Sequence, residues 1–386
     1  MTQEHLNHLR DRIGQVNMEI LHLLSERAGL VAQVREYKEQ CALNLYDSER
    51  EASMIESLVA SNPGPFPDRV IRSLFKEIFH ASLFFMEEKT LDDMMVSVQA
   101  GPRKTIDVKG FEVGTEPFFI AGPCSVESDE QMDQVAAGLS QLGVPILRGG
   151  AFKPRTSPYS FQGLGVEGLR MLRAAANRYG MRTVSEVTDT RLVDVVAEFA
   201  DILQIGARNM FNYELLKEVG RAGKPVLLKR GFSATIDEFL QAAEYIMLAG
   251  NTNVILCERG IRTFSRRTRN TLDISVIPLL QRMSRLPVVV DPSHAAGRKD
   301  VLTDLTAAAF AAGADGVMVE VHPHPATARS DAKQQLTIAE FADLTNSVAR
   351  LATQRVPTPK PTPAAMTARA GQTNLQTAKM TVRPKN

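Results

Sequence analysis

Between residues 117 and 320 the chain repeats one alternation eight times, and no other feature constrains its fold as much. Short runs rich in β-branched and aliphatic residues occupy 117–122, 144–148, 181–186, 201–205, 225–229, 253–257, 286–290 and 315–320. Amphipathic stretches such as 129–142, 167–179 and 236–248 separate them. Strand alternating with helix eight times is the pattern of a closed parallel (β/α)8 barrel, and roughly 250 residues is its ordinary length. The expected class is therefore α/β, with a TIM-type barrel over 105–353. Just before the repeat, TIDVKGFEV (105–113) alternates around Gly110 and reads as a small hairpin.

A barrel of this kind carries its chemistry at the C-terminal ends of its strands. Successive runs end at or lead into Cys124; Arg148 and the loop Gly149-Gly-Ala-Phe-Lys153-Pro-Arg155-Thr156-Ser157; Glu186; Gly206-Ala-Arg208; Lys229-Arg230; Glu258-Arg259; Asp291-Pro-Ser-His294; and Glu320 with His322, followed by Asp331. Cys124, His294, Glu320 and Asp331 offer a thiolate, an imidazole and two carboxylates, a set suited to a divalent first-row metal such as Mn, Fe, Co or Zn. Any one of them alone reads as core; convergence at one barrel mouth makes them a site. Arg148, Lys153, Arg155, Arg208, Lys229 and Arg259 form a second, cationic group. Charges buried under loops need anions, because desolvating an unpaired ion costs several kcal/mol. Phosphates and a carboxylate are the natural partners of arginine, and so many cations suggest two phosphorylated substrates. Arg230, Arg266, Arg267 and Arg269 read instead as solvated surface charges. The GxGxxG match at 163–168 does not follow a strand directly, so it carries no nucleotide-binding expectation.

Upstream, 3–90 reads as helical. Leu6, Leu9, Ile13, Val16, Ile20, Leu23, Leu24, Leu30, Val31 and Val34 recur at helical spacing without a breaker over 3–39, apart from Gly14 and Gly29. A helix that long, ~50 Å, cannot bury its own stripe and needs partners. Asp47 is placed to cap a second helix, Asn62-Pro-Gly-Pro-Phe-Pro67 is a stop, and Asp68 opens a third helix to about Lys89. Residues 91–104 read as a linker. From Arg355 onward there are six Lys/Arg and no acid, with few large apolar residues, so 354–386 reads as a disordered basic tail. The net charge of +1 makes no case for nucleic acid or membrane. Three cysteines, no apolar run of membrane-spanning length and an N-terminus without signal-peptide features together predict a cytoplasmic protein.

The segments RGGAFKPRTSPYSFQGLG (148–165), QIGARNM (204–210), LLKRG (227–231), CERGIRTF (257–264) and DPSHAAGR (291–298) resemble 3-deoxy-D-arabino-heptulosonate 7-phosphate (DAHP) synthases of the type I beta branch. The resemblance covers about 115–350. It implies condensation of phosphoenolpyruvate with erythrose 4-phosphate, the first step of the shikimate pathway. A related synthase uses arabinose 5-phosphate on the same barrel, but the Lys153-Pro-Arg-Thr-Ser157 loop resembles the erythrose branch and Cys124 the metal-dependent type. Carried over, Cys124, His294, Glu320 and Asp331 hold the metal, with manganese the first choice. Arg148, Lys153, Arg208, Lys229 and Arg259 hold phosphoenolpyruvate. Glu186 lies near it, and Arg155, Thr156 and Ser157 hold the aldehyde's phosphate. Lys153, Glu186 and Lys229 are the catalytic candidates, Lys153 as proton donor to the new alkoxide.

Residues 3–90, with LRDRI, LLSERAGLV, REYK and YDSERE, resemble the all-helical chorismate mutase family. The corresponding residues are Arg10, Arg27, Lys38, Asp47, Arg50 and Ser82. Arg27 and Lys38, 11 residues apart, share a helix face about 16 Å apart, whereas Arg10 lies nearly a quarter-turn away. One site using all three draws Arg10 from another copy, which implies an intertwined homodimer; the expected assembly is a homotetramer. Met86 departs from the family, which has Gln or Glu there to donate to the substrate's ether oxygen. Losing such a donor costs roughly 10²–10³ in rate. Two readings follow: a bifunctional synthase and mutase, or a synthase whose helical domain only binds chorismate or prephenate and regulates the barrel.

Overall fold

The unbroken apolar period after Gln3 produces one helix of 38 residues, α1 (Gln3–Gln40), in a computed structural model that describes residues 3–41, 48–87, 91–153 and 159–353. The chain divides into two compact units, Met1–Thr90 and Leu91–Asn386. In the first, α1 is joined by α2 (Ser48–Ala60) and α3 (Asp68–Glu87). Asn62 builds the turn between α2 and α3. Its carbonyl accepts from Gly64 N–H at 3.1 Å, and its amide donates to Phe66 O at 2.8 Å and to Asp68 Oδ1 at 3.2 Å. Ile55 and Phe79 are buried, but Ile13, Met18, Leu21, Leu23 and Leu30 along α1 are each more than half exposed. Burying them needs a surface beyond this unit's own described residues. Asp47 and the tail 354–386 lie outside the described residues. No helix among the described residues is long and apolar enough to cross a membrane.

The second unit begins with an antiparallel hairpin, β1 (Ile106–Val108) and β2 (Phe111–Val113). The strands β3 (Phe118–Gly122), β4 (Ile146–Arg148), β5 (Arg182–Val187), β6 (Ile202–Ile205), β7 (Val226–Lys229), β8 (Val254–Glu258), β9 (Val288–Val290) and β10 (Gly316–Glu320) follow. They close in chain order, every pair parallel, with β10 beside β3 in a register that sets Glu320 opposite Gly122. Every strand contributes to a common interior cluster, through Ile120, Ile146, Val184, Ile202, Leu227, Ile255, Val289 and Met318, with Phe118 of β3 and Cys257 of β8 added. Their neighbours Ala121, Leu147, Leu203, Leu228, Leu256, Val290 and Val319 join the cluster shared with the surrounding helices. This is the period of two expected of strands buried on both faces.

The hairpin adds Ile106, Val108 and Val113 to the interior cluster and stops the N-terminal end of the barrel. Lys109 pairs with Asp201 at 2.7 Å, and the Arg182 guanidinium donates to Val108 O at 3.2 Å and Lys109 O at 2.9 Å. The stretch 91–104, expected as a linker, lies within this unit and rests on the barrel wall. The backbone N–H groups of Met95 and Val96 donate to the buried Glu244 carboxylate at 2.9 and 3.0 Å, and Lys104 N–H donates to Arg285 O at 2.7 Å. One glycine is obligatory at the opposite end. Gly122 has φ 147°, and a Cβ there would stand 2.1 Å from the Arg148 carbonyl oxygen, so only glycine lets β3 end against β4. The mouth above Gly122 and Arg148 is where the polar residues converge.

Candidate active site

Cys124, His294, Glu320 and Asp331 meet at this mouth, with one donor atom from each all within 4.8 Å of one another. Cys124 follows β3, Glu320 ends β10, and His294 sits on the short helix Pro292–Ala296 after β9. Cys124 Sγ lies 3.3 Å from Asp331 Oδ2, and His294 Nε2 lies 3.3 Å from Glu320 Oε1. Asp331 has φ 46°, a left-handed conformation that aspartate tolerates better than most residues. Asp291 caps the short helix by accepting His294 N–H at 2.9 Å, and its Oδ2 also meets His294 Nδ1 at 2.7 Å. That contact makes Nδ1 the protonated nitrogen and turns the Nε2 lone pair toward Glu320.

The electrostatics of the cluster fit a cation. Burial lowers the pKa of His294 and outweighs Asp291 and Glu320, so the imidazole is neutral at neutral pH. A lone pair then faces a carboxylate oxygen at 3.3 Å, and Glu320 Oε1 is buried without a hydrogen bond. Burial opposes ionisation of Asp331, yet His294, Arg269 and the Cys124 contact hold its carboxyl down to about 2. Burial pushes the Cys124 thiol up to about 12, with Glu320 adding to the effect. These four side chains would hold a divalent ion, whose charge would relieve the acceptor–acceptor contact and favour the thiolate; imidazole, thiolate and carboxylate together suit first-row metals.

A cavity of about 420 Å³ opens beside the cluster, and His294 and Asp331 form part of its wall. Arg148, Lys153, Arg208, Lys229 and Arg259 all line it, as does Glu186. Lys153 Nζ is 3.2 Å from Cys124 Sγ and 2.9 Å from Cys124 O. Burial disfavours its charge, but Cys124 and Glu186 outweigh burial and raise its pKa, so it is an ammonium. Two of the cations have protein counter-charges, which strand-end reasoning did not anticipate. Arg148 Nη1 lies 3.2 Å from Glu320 Oε1, and Lys229 Nζ 2.5 Å from Asp291 Oδ2. Arg148 still has Nε and Nη1 buried without hydrogen bonds. Arg259 is buried, donates to His294 O at 3.1 Å, and has its pKa lowered by desolvation despite Asp291. These under-compensated guanidiniums face a cavity that an anion of the right size would neutralise.

One surface assignment is corrected, that of Arg230, and a second is extended. Arg230 is buried, pairing with Glu258 at 3.1 Å and Asp273 at 3.0 Å, because its side chain turns into the wall beside β8. Arg269 is exposed, as expected of a surface charge, but it also borders the cavity and pairs with Asp331 at 3.2 Å. Arg155, Thr156 and Ser157 lie outside the described residues. The glycines of the 163–168 match serve the loop itself: a Cβ on Gly163 would stand 2.0 Å from Ala151 O, and Gly165 N–H donates to that same oxygen at 3.0 Å. Sequence reasoning named Asp291 without giving it a role and did not single out Phe232 or Gln334; the Gln334 amide donates to Glu320 Oε2 at 2.5 Å. Asp before Pro at a helix start was a legible capping signal for Asp291; nothing local marked the other two.

In the helical unit, Arg27 donates to Ser82 Oγ and its guanidinium lies 5.0 Å over the Phe79 ring, which brings α1 and α3 together. Arg10 and Arg50 are exposed and Lys38 is half-buried. Met86 lies on α3, and its side chain is outside what is described.

The sequence matches the DAHP synthetase I family over residues 103–355 and chorismate mutase type II over residues 9–87. It is 55% identical over 260 residues to the phospho-2-dehydro-3-deoxyheptonate aldolase of Thermotoga maritima, a span of 67% of this chain and 77% of that protein. It is 32% identical over 256 residues to the 2-dehydro-3-deoxyphosphooctonate aldolase of Acidithiobacillus ferrooxidans, covering 61% of this chain and 90% of that one. The crystal structure of the Thermotoga maritima enzyme superposes with a TM-score of 0.66 at 53% identity, covering 67% of this chain and 77% of the other.

Proposed function

The chain belongs to the DAHP synthetase I family and carries a chorismate mutase type II domain, and on that premise we propose how its residues divide the work of condensing phosphoenolpyruvate with erythrose 4-phosphate. One observation carries the reading: a thiol, an imidazole and two carboxylates within 4.8 Å, beside a cation-lined cavity at the C-terminal mouth of a closed barrel.

Cys124, His294, Glu320 and Asp331 would hold a divalent ion, manganese first and iron, cobalt or zinc as competitors, which supplies Lewis-acid polarisation of the aldehyde carbonyl. Arg148, Arg208, Lys229 and Arg259 orient the phosphate and carboxylate of phosphoenolpyruvate so that its C3 faces the aldehyde carbon. The new C–C bond leaves an alkoxide on the former aldehyde oxygen, and Lys153, charged and beside Cys124, delivers its proton there. Water adds to the C2 left cationic by the new C–C bond, Glu186 takes one of its protons, and the C2–O bond to phosphate breaks as the C2 carbonyl forms, the second proton leaving with the phosphate. Arg155, Thr156 and Ser157 hold the erythrose phosphate.

The helical domain binds chorismate or prephenate through Arg10, Arg27, Lys38, Asp47, Arg50 and Ser82, as mutase, as feedback sensor of the barrel, or both. The exposed apolar residues of α1 support burial against a second copy, giving a dimer through this domain within a homotetramer. Three free cysteines support a reducing, cytoplasmic setting. The test is condensation and chorismate loss measured on one preparation with and without EDTA. Chelation is expected to abolish condensation, readdition of Mn²⁺ to restore it, and chorismate loss to be unaffected. Full condensation in a verified metal-free preparation would remove the metal from the scheme.

A further inference from the structure

We infer that Phe232 is a positioning residue for the anion-binding arginines, and that Arg262, unassigned so far, completes a three-guanidinium clamp around its ring. The inference rests on the reading of the cavity as the phosphoenolpyruvate site. Arg259, Arg262 and Arg208 place their guanidinium carbons 4.7, 5.0 and 5.7 Å from the centroid of the Phe232 ring. Arg208 follows β6, Phe232 follows β7, and Arg259 and Arg262 follow β8, so the ring is where three neighbouring loops meet. Arg262 N–H donates to Phe232 O at 2.7 Å, tying the third loop to the backbone that carries the ring.

Among the described residues none of these three arginines makes an ion pair with a carboxylate, in contrast to Arg148, Lys229 and Arg230. Three like charges about one ring repel. The negative face of the ring offsets part of that repulsion and holds each guanidinium in place. The remainder is available to a doubly charged phosphate group. Phe232, Arg208 and Arg259 line the cavity, whereas Arg262 stands outside its wall. Arg262 therefore acts through the ring and through its field at the exposed rim, where attraction for an anion is strongly screened by salt. An aromatic ring at this point keeps the clamp assembled before the substrate arrives, which strengthens binding by reducing the ordering needed on association. A leucine would fill similar space but has no quadrupole.

The test uses the full-length, metal-loaded protein, with calorimetric titration of phosphoenolpyruvate alone and steady-state kinetics for both substrates. Phe232→Leu is expected to weaken phosphoenolpyruvate binding about tenfold, the loss of several cation–π contacts. It should raise KM for that substrate by the same factor, while kcat and the aldehyde's KM stay near wild type. Phe232→Tyr, which keeps the quadrupole, is expected to restore binding. Arg262→Gln should weaken binding several-fold and make it less sensitive to salt. A Phe232→Leu protein that melts like wild type and binds phosphoenolpyruvate equally well would overturn the inference. Should that variant not fold, Arg262→Gln decides: unchanged affinity with an unchanged salt slope would overturn it. Wild-type protein that fails to bind phosphoenolpyruvate would overturn the functional reading beneath it, a result distinct from either variant's.

Discussion

Replacing Asp291 by Asn removes one negative charge and tests how the metal site is organised. Three donors converge on this carboxylate, which is fully buried. Oδ2 receives Lys229 Nζ at 2.5 Å and His294 Nδ1 at 2.7 Å, and Oδ1 receives His294 N–H at 2.9 Å. An amide offers one acceptor oxygen and one NH2 group, so either orientation sets a donor against a donor. With the NH2 in the Oδ2 position, His294 Nδ1 must become the acceptor. The ring proton then moves to Nε2, which faces Glu320, and the lone pair needed for a metal is lost. With the NH2 in the Oδ1 position the helix cap is lost and Lys229 keeps only a neutral partner. Orienting partners of metal-bound histidines are worth roughly 10–100-fold in metal affinity, and stripping the partner from a buried charge costs about 3–5 kcal/mol of stability. The two effects share residues and will not add. The assay is equilibrium titration of the apoprotein with Mn²⁺, alongside denaturant unfolding of apo and loaded forms. An Asn variant that binds Mn²⁺ as tightly as wild type would refute the tautomer argument, whatever its turnover. Unchanged apo stability would refute the claim that Asp291 compensates Lys229.

Three further outcomes are expected. The apo Cys124 thiol is held at about 12 and His294 is neutral, so metal uptake should release one proton, and apparent affinity should rise about tenfold per pH unit between pH 7 and 8.5; a slope near zero or two in pH-dependent titrations would contradict this. Burial opposes ionisation of Asp201, but Lys109 and Arg173 outweigh it and lower its pKa. Its contribution to stability is therefore complete above the unfolded carboxylate pKa and lost as pH falls through the folded value. Asp201→Asn should cost roughly 3 kcal/mol at pH 7, and the gap from wild type should close in strongly acidic unfolding experiments. Met86→Gln restores the family's donor and should raise chorismate turnover by up to roughly 10²-fold; no chorismate loss in either protein would leave the helical domain a sensor.

The barrel was legible because its signal is local. Each of β3 to β10 overlaps an apolar run visible in the residues, differing by one or two positions at its ends, and the residue after such a run lies at the mouth whatever the rest of the chain does. Cys124, Glu320 and the lining cations follow from that rule; the helix beginning at Gln3 is legible by its own apolar period, which only Gly14 and Gly29 punctuate. Arg230 was misjudged for the opposite reason. It directly follows Lys229, and adjacent positions at a strand end look alike on paper. In space one points over the mouth and the other into the wall, where Glu258 and Asp273 receive it.

Residue types and their period, which a linear chain displays in full, determined the architecture, the metal-type donor set and the excess of cations. The closed barrel decided how those charges are compensated. Lys229 meets Asp291 from 62 positions away, Glu320 returns to Arg148 across the β10–β3 seam, and Phe232 gathers arginines from the two loops flanking its own. Pairings of that kind depend on side-chain directions set only when distant strands align. They separate the cations already answered by the protein from those still facing the cavity.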